Sequence, residues 1–169
     1  YRWLPHGFHP WAKKNIALLN QDVKPDAYFI DVFTAIAPMD YYDIDGRFYP
    51  KTRTIEEWST CFDYVREMLG GAPQISEAGH DTQIGHIAAG ESDHIGVVPN
   101  GSGQWAWNIA CADGERVPWH DMATHGSFIL FAGGLANRYV GSLDRSEHGY
   151  GSDDYWSLTV LGGRNPMAH

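Results

Sequence analysis

The clearest pattern along the chain is the run Ile55, Trp58, Phe62, Val65 and Leu69, spaced by alternating steps of three and four. That spacing puts the five side chains on one face of an α-helix. Thr54 and Glu57 read as a T-x-x-E capping box at its start, and Gly70-Gly71 as its stop. A second helix is predicted from His9 to Leu19, with Pro10 in the first turn and a stripe of Ala12, Ile16 and Leu19. Between the two lies Ala27 to Phe33, a continuous apolar and aromatic run interrupted only by Asp31. Runs of this kind predict a strand covered on both faces, as in parallel sheets.

Farther along, Ala72 to Glu77 predicts a short strand, Asp81 to Ala89 a short helix and His94 to Val98 another strand, ended by Pro99-Asn100-Gly101. The segment Arg116 to Gly126 fits neither period well and is read as a strand through His125. A last helix is expected over Ser152 to Leu161, with Ser152 as N-cap, and a final strand over Asn165 to His169. Strands alternating with helices through short connections imply parallel βα units. The expected fold class is α/β, a partial (β/α)8 TIM barrel holding roughly its last five strands. Residues 1–169 then form a single segment, the C-terminal portion of a catalytic barrel. A closed barrel takes eight strands and about 250 residues, so the missing strands are expected before Tyr1. The remainder of that barrel is thus an expected partner.

Composition narrows the function. Aromatic residues make up 14% of the chain, including seven Trp and nine Tyr, and such side chains suit stacking against flat apolar faces such as those of sugar rings. A formal charge of −9 and no basic patch argue against nucleic-acid binding, which needs clustered Lys and Arg. No apolar run approaches the roughly 20 residues that cross a bilayer, so no membrane partner is expected. Cys61 and Cys111 stand far apart, without zinc-like spacing or a disulfide framework.

In a parallel barrel the active site lies at the C-terminal ends of the strands, so a polar residue late in an apolar strand falls in the mouth. Asp31 and Glu77 both answer that description. A carboxylate buried without a partner is costly, which makes Asp31 among Phe29, Ile30, Val32 and Phe33 a candidate for chemistry. Two carboxylates on neighbouring strands are what glycosidic cleavage requires, one as proton donor and the other as nucleophile or base. The structural alternative is a carboxylate pairing with Arg or Lys for stability.

Tyr28-Phe29-Ile30-Asp31-Val32, Tyr41-Tyr42-Asp43, Tyr49-Pro50-Lys51-Thr52-Arg53, and Ile75-Ser76-Glu77-Ala78-Gly79 together resemble the catalytic barrel of endo-α-N-acetylgalactosaminidase-like glycoside hydrolases and their α-N-acetylgalactosaminidase relatives. The likeness extends to Val117-Pro118, Thr124-His125-Gly126 and the closing Gly163 to Pro166. The resemblance implies a retaining glycosidase on α-linked sugars, with Asp31 as nucleophile and Glu77 as acid/base. It also implies a carbohydrate or glycoconjugate substrate and a secreted or periplasmic home. The stretch Asp40 to Tyr49 departs from the best-known members and bears on which sugar is taken.

Around this pair, His80, Asp81 and His125 are candidates for binding sugar hydroxyls, and Tyr41, Trp105 and Trp119 for stacking on sugar faces. For each of them local packing or hydrogen bonding is the competing role. No cofactor is expected. Asp40, Asp43 and Asp45 offer oxygen ligands of the kind that a structural calcium ion takes. Two other functions compete: a carbohydrate-binding barrel that has lost catalysis, and a metal-dependent hydrolase using His6 with His9 or His120 with His125. No H-E-x-x-H supports the last.

Overall fold

The computed structural model describes residues 4–77, 79, 81–91, 119–127, 129–131 and 163. Helix α1, His9–Asp22, has Pro10 in its first turn and buries Ala12 and Ile16. Strand β1, Tyr28–Ile30, follows, and a small antiparallel hairpin comes next, β2 at Tyr41–Tyr42 and β3 at Phe48–Tyr49. Helix α2, Lys51–Met68, leads into β4, Gln74–Ser76. Then come β5, Ala89–Glu91, helix α3, Trp119–Thr124, and β6, Ile129–Phe131.

Strands β1, β4, β5 and β6 form one sheet in that order, and every neighbouring pair is parallel. Helices α1 and α2 cover one face. Of the predicted stripe of α2, Ile55 is half-buried and Trp58, Phe62, Val65 and Leu69 are buried, packed with Ile16 of α1, Ile30 of β1 and Leu130 of β6. Phe33 joins this core from just beyond β1, edge-on to Phe8 and Phe62 and stacked on Trp58.

Strand alternation sends Ile30, Ser76 and Leu130 toward the helices. The next register row, Phe29, Ile75, Ala89 and Ile129, falls on the opposite face. On that face Phe29 and Ile129, on the two outer strands, are 44% and 54% exposed, where the sequence predicts cover on both sides, while Ala89 between them is buried.

Helix α2 does not begin with the predicted capping box. It starts at Lys51 after Pro50, and its first N–H donates to Asp40 Oδ1 at 2.6 Å, so an acid eleven residues upstream serves the helix start. Thr54 lies inside the helix, its hydroxyl bonded to the Met39 carbonyl, and Glu57 is turned to other partners.

The helix predicted over Asp81 to Ala89 shrinks to a 3-10 turn, Asp81–Gln83. Gly85 takes φ +91°, the Ala88 N–H donates to the Gln74 carbonyl, and Ala89 is drawn into the sheet beside Ile75. The strand predicted through His125 is instead the helix α3, closed by Gly126 at φ +81°, and the strand follows it as β6. The expected strand at His94 to Val98, helix at Ser152 to Leu161 and strand at Asn165 to His169 lie outside the described residues. No helix among the described residues is long and apolar enough to cross a membrane.

Candidate active site

The last register pair between β1 and β4 is Ile30 with Ser76, so the next residues on the two chains are Asp31 and Glu77. Parallel neighbours run about 4.8 Å apart, and both acids therefore leave the sheet side by side at its C-terminal edge. The Ser76 hydroxyl, fully buried, donates to the Ile30 carbonyl at 2.7 Å and ties the two strand ends together beneath them. Glu77 is half-buried and reaches across to its neighbour, where its Oε2 accepts the Val32 N–H at 2.9 Å. Asp31 is exposed. Its position comes from the strand ending at Ile30, and the expectation of a carboxylate immersed in an apolar strand is corrected accordingly.

The hairpin that follows β1 is built on Asp43. Its Oδ1 accepts the N–H groups of Asp45 and Arg47, at 3.0 and 2.9 Å, and its Oδ2 accepts the Tyr49 hydroxyl at 3.1 Å. These donors, the Arg47 N–H foremost, hold the Asp43 carboxyl below the usual carboxylate range. The turn explains Asp43 without a metal, and Asp40 serves α2. Among the described residues no group of three or more His, Cys, Asp or Glu is gathered for a metal ion.

Tyr41 is half-buried, with its ring stacked on Tyr49 at 4.9 Å and an interplanar angle of 5°. The His6 ring stacks on Tyr49 at 4.8 Å, and its Nδ1 lies 2.9 Å from the Tyr41 hydroxyl. One face of Tyr41 is thus taken by protein, which narrows the sugar-stacking role expected for it. Burial, and after it the charge of Glu57, pushes the Tyr41 phenol up. Asp81 is exposed in the turn after β4, and His125 is exposed after α3. Trp119 is the first residue of α3, while His80 and Trp105 lie outside the described residues.

Sequence reasoning missed three features here. Glu57, buried in α2, holds His9 through one carboxylate oxygen and the Arg53 guanidinium through the other, linking α1 to α2. This carboxylate raises the Arg53 pKa further, and the i, i+4 spacing of Arg53 and Glu57 was the available signal. A second feature is Gly163, at φ +64°, which lies so close to His125 that an added Cβ would come within 2.8 Å of the imidazole. The third is a cleft of about 650 Å³ between α1 and α2, lined by His6, His9, Lys13 and Glu57 among others. Neither Asp31 nor Glu77 lines it, so the cleft and the strand-end acids are separate places.

Three solved structures share this fold, all of one protein, an α-N-acetylgalactosaminidase from Bifidobacterium bifidum. The ligand-free form matches with a TM-score of 0.62 and 19% identity, covering 93% of this chain and 23% of that one. The chain has the fold of part of a glycosidase. A quadruple mutant of that enzyme and its complex with Gal-NHAc-DNJ both match at TM-score 0.59 and 18% identity. This chain spans less than a quarter of the enzyme's length. No family model matches the chain, and no curated protein does.

Proposed function

We propose that the chain carries the catalytic pair of a retaining glycosidase for α-linked sugars, N-acetylgalactosaminides among them, with Asp31 as nucleophile and Glu77 as acid/base. The observation that supports it most is the pairing of Ile30 with Ser76, which leaves two carboxylates on adjacent parallel strand ends. The four-stranded parallel sheet is then an arc of a (β/α)8 barrel, and the open row of Phe29 and Ile129 faces side chains from the strands that complete it. The fold shared with an α-N-acetylgalactosaminidase supports the substrate class.

In this reading Asp31 attacks the anomeric carbon while Glu77 gives its proton to the departing glycosidic oxygen, leaving a glycosyl ester on Asp31. Glu77, now ionised, takes a proton from water. The water oxygen bonds to the anomeric carbon and the Asp31 ester bond breaks, so two inversions give net retention. Such a pair works at a carboxyl separation of about 5 Å, a distance that adjacent strand ends can supply.

The test is hydrolysis of an activated aryl α-glycoside by the full-length protein. Asp31→Asn should abolish turnover, Glu77→Gln should slow it by withdrawing the base from release of the glycosyl ester, and both should leave sugar binding largely intact. Parental rates in both variants would sink the proposal, and binding with no turnover in the parent would favour a barrel that only binds carbohydrate.

A further inference from the structure

Between the two strand-end acids the backbone turns in a way few side chains tolerate. Val32 has φ 66° and ψ −32°, and the Phe33 N–H donates to the Asp31 carbonyl at 2.8 Å. Residues 31–33 thus close a three-residue γ-turn of the rare positive-φ kind. A β-branched residue is strained in that region, and side-chain packing does little to offset the strain, because Val32 is 46% exposed. What the turn achieves is direction: it aims the Val32 N–H at Glu77 Oε2, 2.9 Å away on the neighbouring strand end. The pair of Ile30 with Ser76 before it and the 3-10 turn Phe33–Ala35 after it hold this geometry from both sides.

We infer that Val32 is a positioning residue whose backbone N–H fixes Oε2 of Glu77, so that the proton Glu77 delivers is carried on Oε1. The inference rests on the acid/base reading of Glu77. A protonated carboxyl has one O–H and one carbonyl oxygen, and a facing N–H needs an acceptor. The oxygen toward Val32 therefore stays the carbonyl oxygen and the proton sits on the other. When the glycosidic oxygen takes that proton, the O–H electron pair remains on Glu77, and the Val32 N–H stabilises the charge left behind. The same bond joins the two acids mechanically, since Asp31 is the residue before the donor.

Replacing the amide at position 32 by an ester, through the α-hydroxy analogue of valine in the full-length protein, removes this one donor and keeps the side chain. The readout is the 13C titration of the Glu77 carboxyl, assigned by its disappearance in Glu77→Gln. Its midpoint should rise by about one pH unit, and the alkaline limb of kcat/KM should move with it. An unchanged midpoint overturns the inference. Val32→Gly keeps the donor and tolerates the positive φ, so the parental midpoint is expected; a rise equal to that of the ester would show that the side chain holds Glu77 and would also overturn it. If the parent hydrolyses no glycoside the acid/base reading fails, while the carboxyl titration still decides whether the Val32 bond exists.

Discussion

Ser76 donates its hydroxyl to the Ile30 carbonyl, 2.7 Å away, and both residues face the helical layer while the acids that follow them emerge at the sheet edge. A side-chain bond thus reinforces the strand pair at the point where the candidate chemistry starts. Ser76→Ala should lower stability by about 1 kcal/mol, the net worth of a buried neutral hydrogen bond, measured by urea denaturation. Because the parallel ladder persists, the loss should show as a shifted midpoint with an unchanged slope.

Glu77→Gln should reduce kcat/KM on an unactivated α-glycoside by about 10²–10⁴-fold, the usual contribution of general acid–base catalysis. On an aryl glycoside with a good leaving group the first step needs less proton donation, so the loss should be smaller. Equal losses on both substrates would argue against Glu77 as proton donor.

Cys61 is buried at the centre of α2, and burial, with the Glu57 charge second, pushes its thiol up to about 12. A pKa raised in the folded state means that folding favours the protonated thiol, whose stabilising contribution is complete below the unfolded value. That contribution should decline as pH rises from about 9 toward 12. Cys61→Ala should flatten the fall in a denaturation series over this window. In the native protein at pH 8 the thiol should react with Ellman's reagent only as fast as the chain unfolds.

Asp43 presents the opposite sign. Its carboxyl is held below the usual range by the Arg47 N–H and its companions, so the hairpin gains from its charge above the ordinary carboxylate pKa and loses that support as pH falls through the depressed value. Asp43→Asn should imitate acid at neutral pH. The ring-current-shifted resonances of Tyr41 and Tyr49, which stack in the native hairpin, should then move toward unfolded positions.

Phe62 has no exposed surface and meets the edge of Phe33 at 6.0 Å, so it bridges α2 and the turn after β1. Phe62→Ala should cost about 3–5 kcal/mol through lost burial and the cavity left behind. Calorimetry should show a correspondingly lower melting temperature.

The sequence made some of this architecture legible and hid the rest for identifiable reasons. The stripe from Trp58 to Leu69 spans several turns, and repeated spacing over that length leaves little room for another structure. Asp31 and Glu77 were legible as candidates because each is an acid late in a predicted strand, although burial, invoked for Asp31, proved the wrong reason. Strand β5 was hidden because Ala89, Gly90 and Glu91 have weak strand preference, and their structure is imposed by β4 and β6 on either side. Strand β6 had a signal, Ile129-Leu130-Phe131 bounded by glycines, which the ambiguous stretch before it obscured. Glu57 fitted a capping pattern that a distant acid, Asp40, had already fulfilled, and no local rule distinguishes those cases.

The parallel register of β1 with β4 has an evolutionary consequence. The hairpin between those strands, Tyr41 to Tyr49, contributes no residue to the core and can be lengthened, shortened or rewritten without altering which residue of one strand lies beside which residue of the other. Mutation can therefore alter the hairpin while the two strand-end acids are inherited side by side, so that these two parts of one sheet edge can change as separate traits.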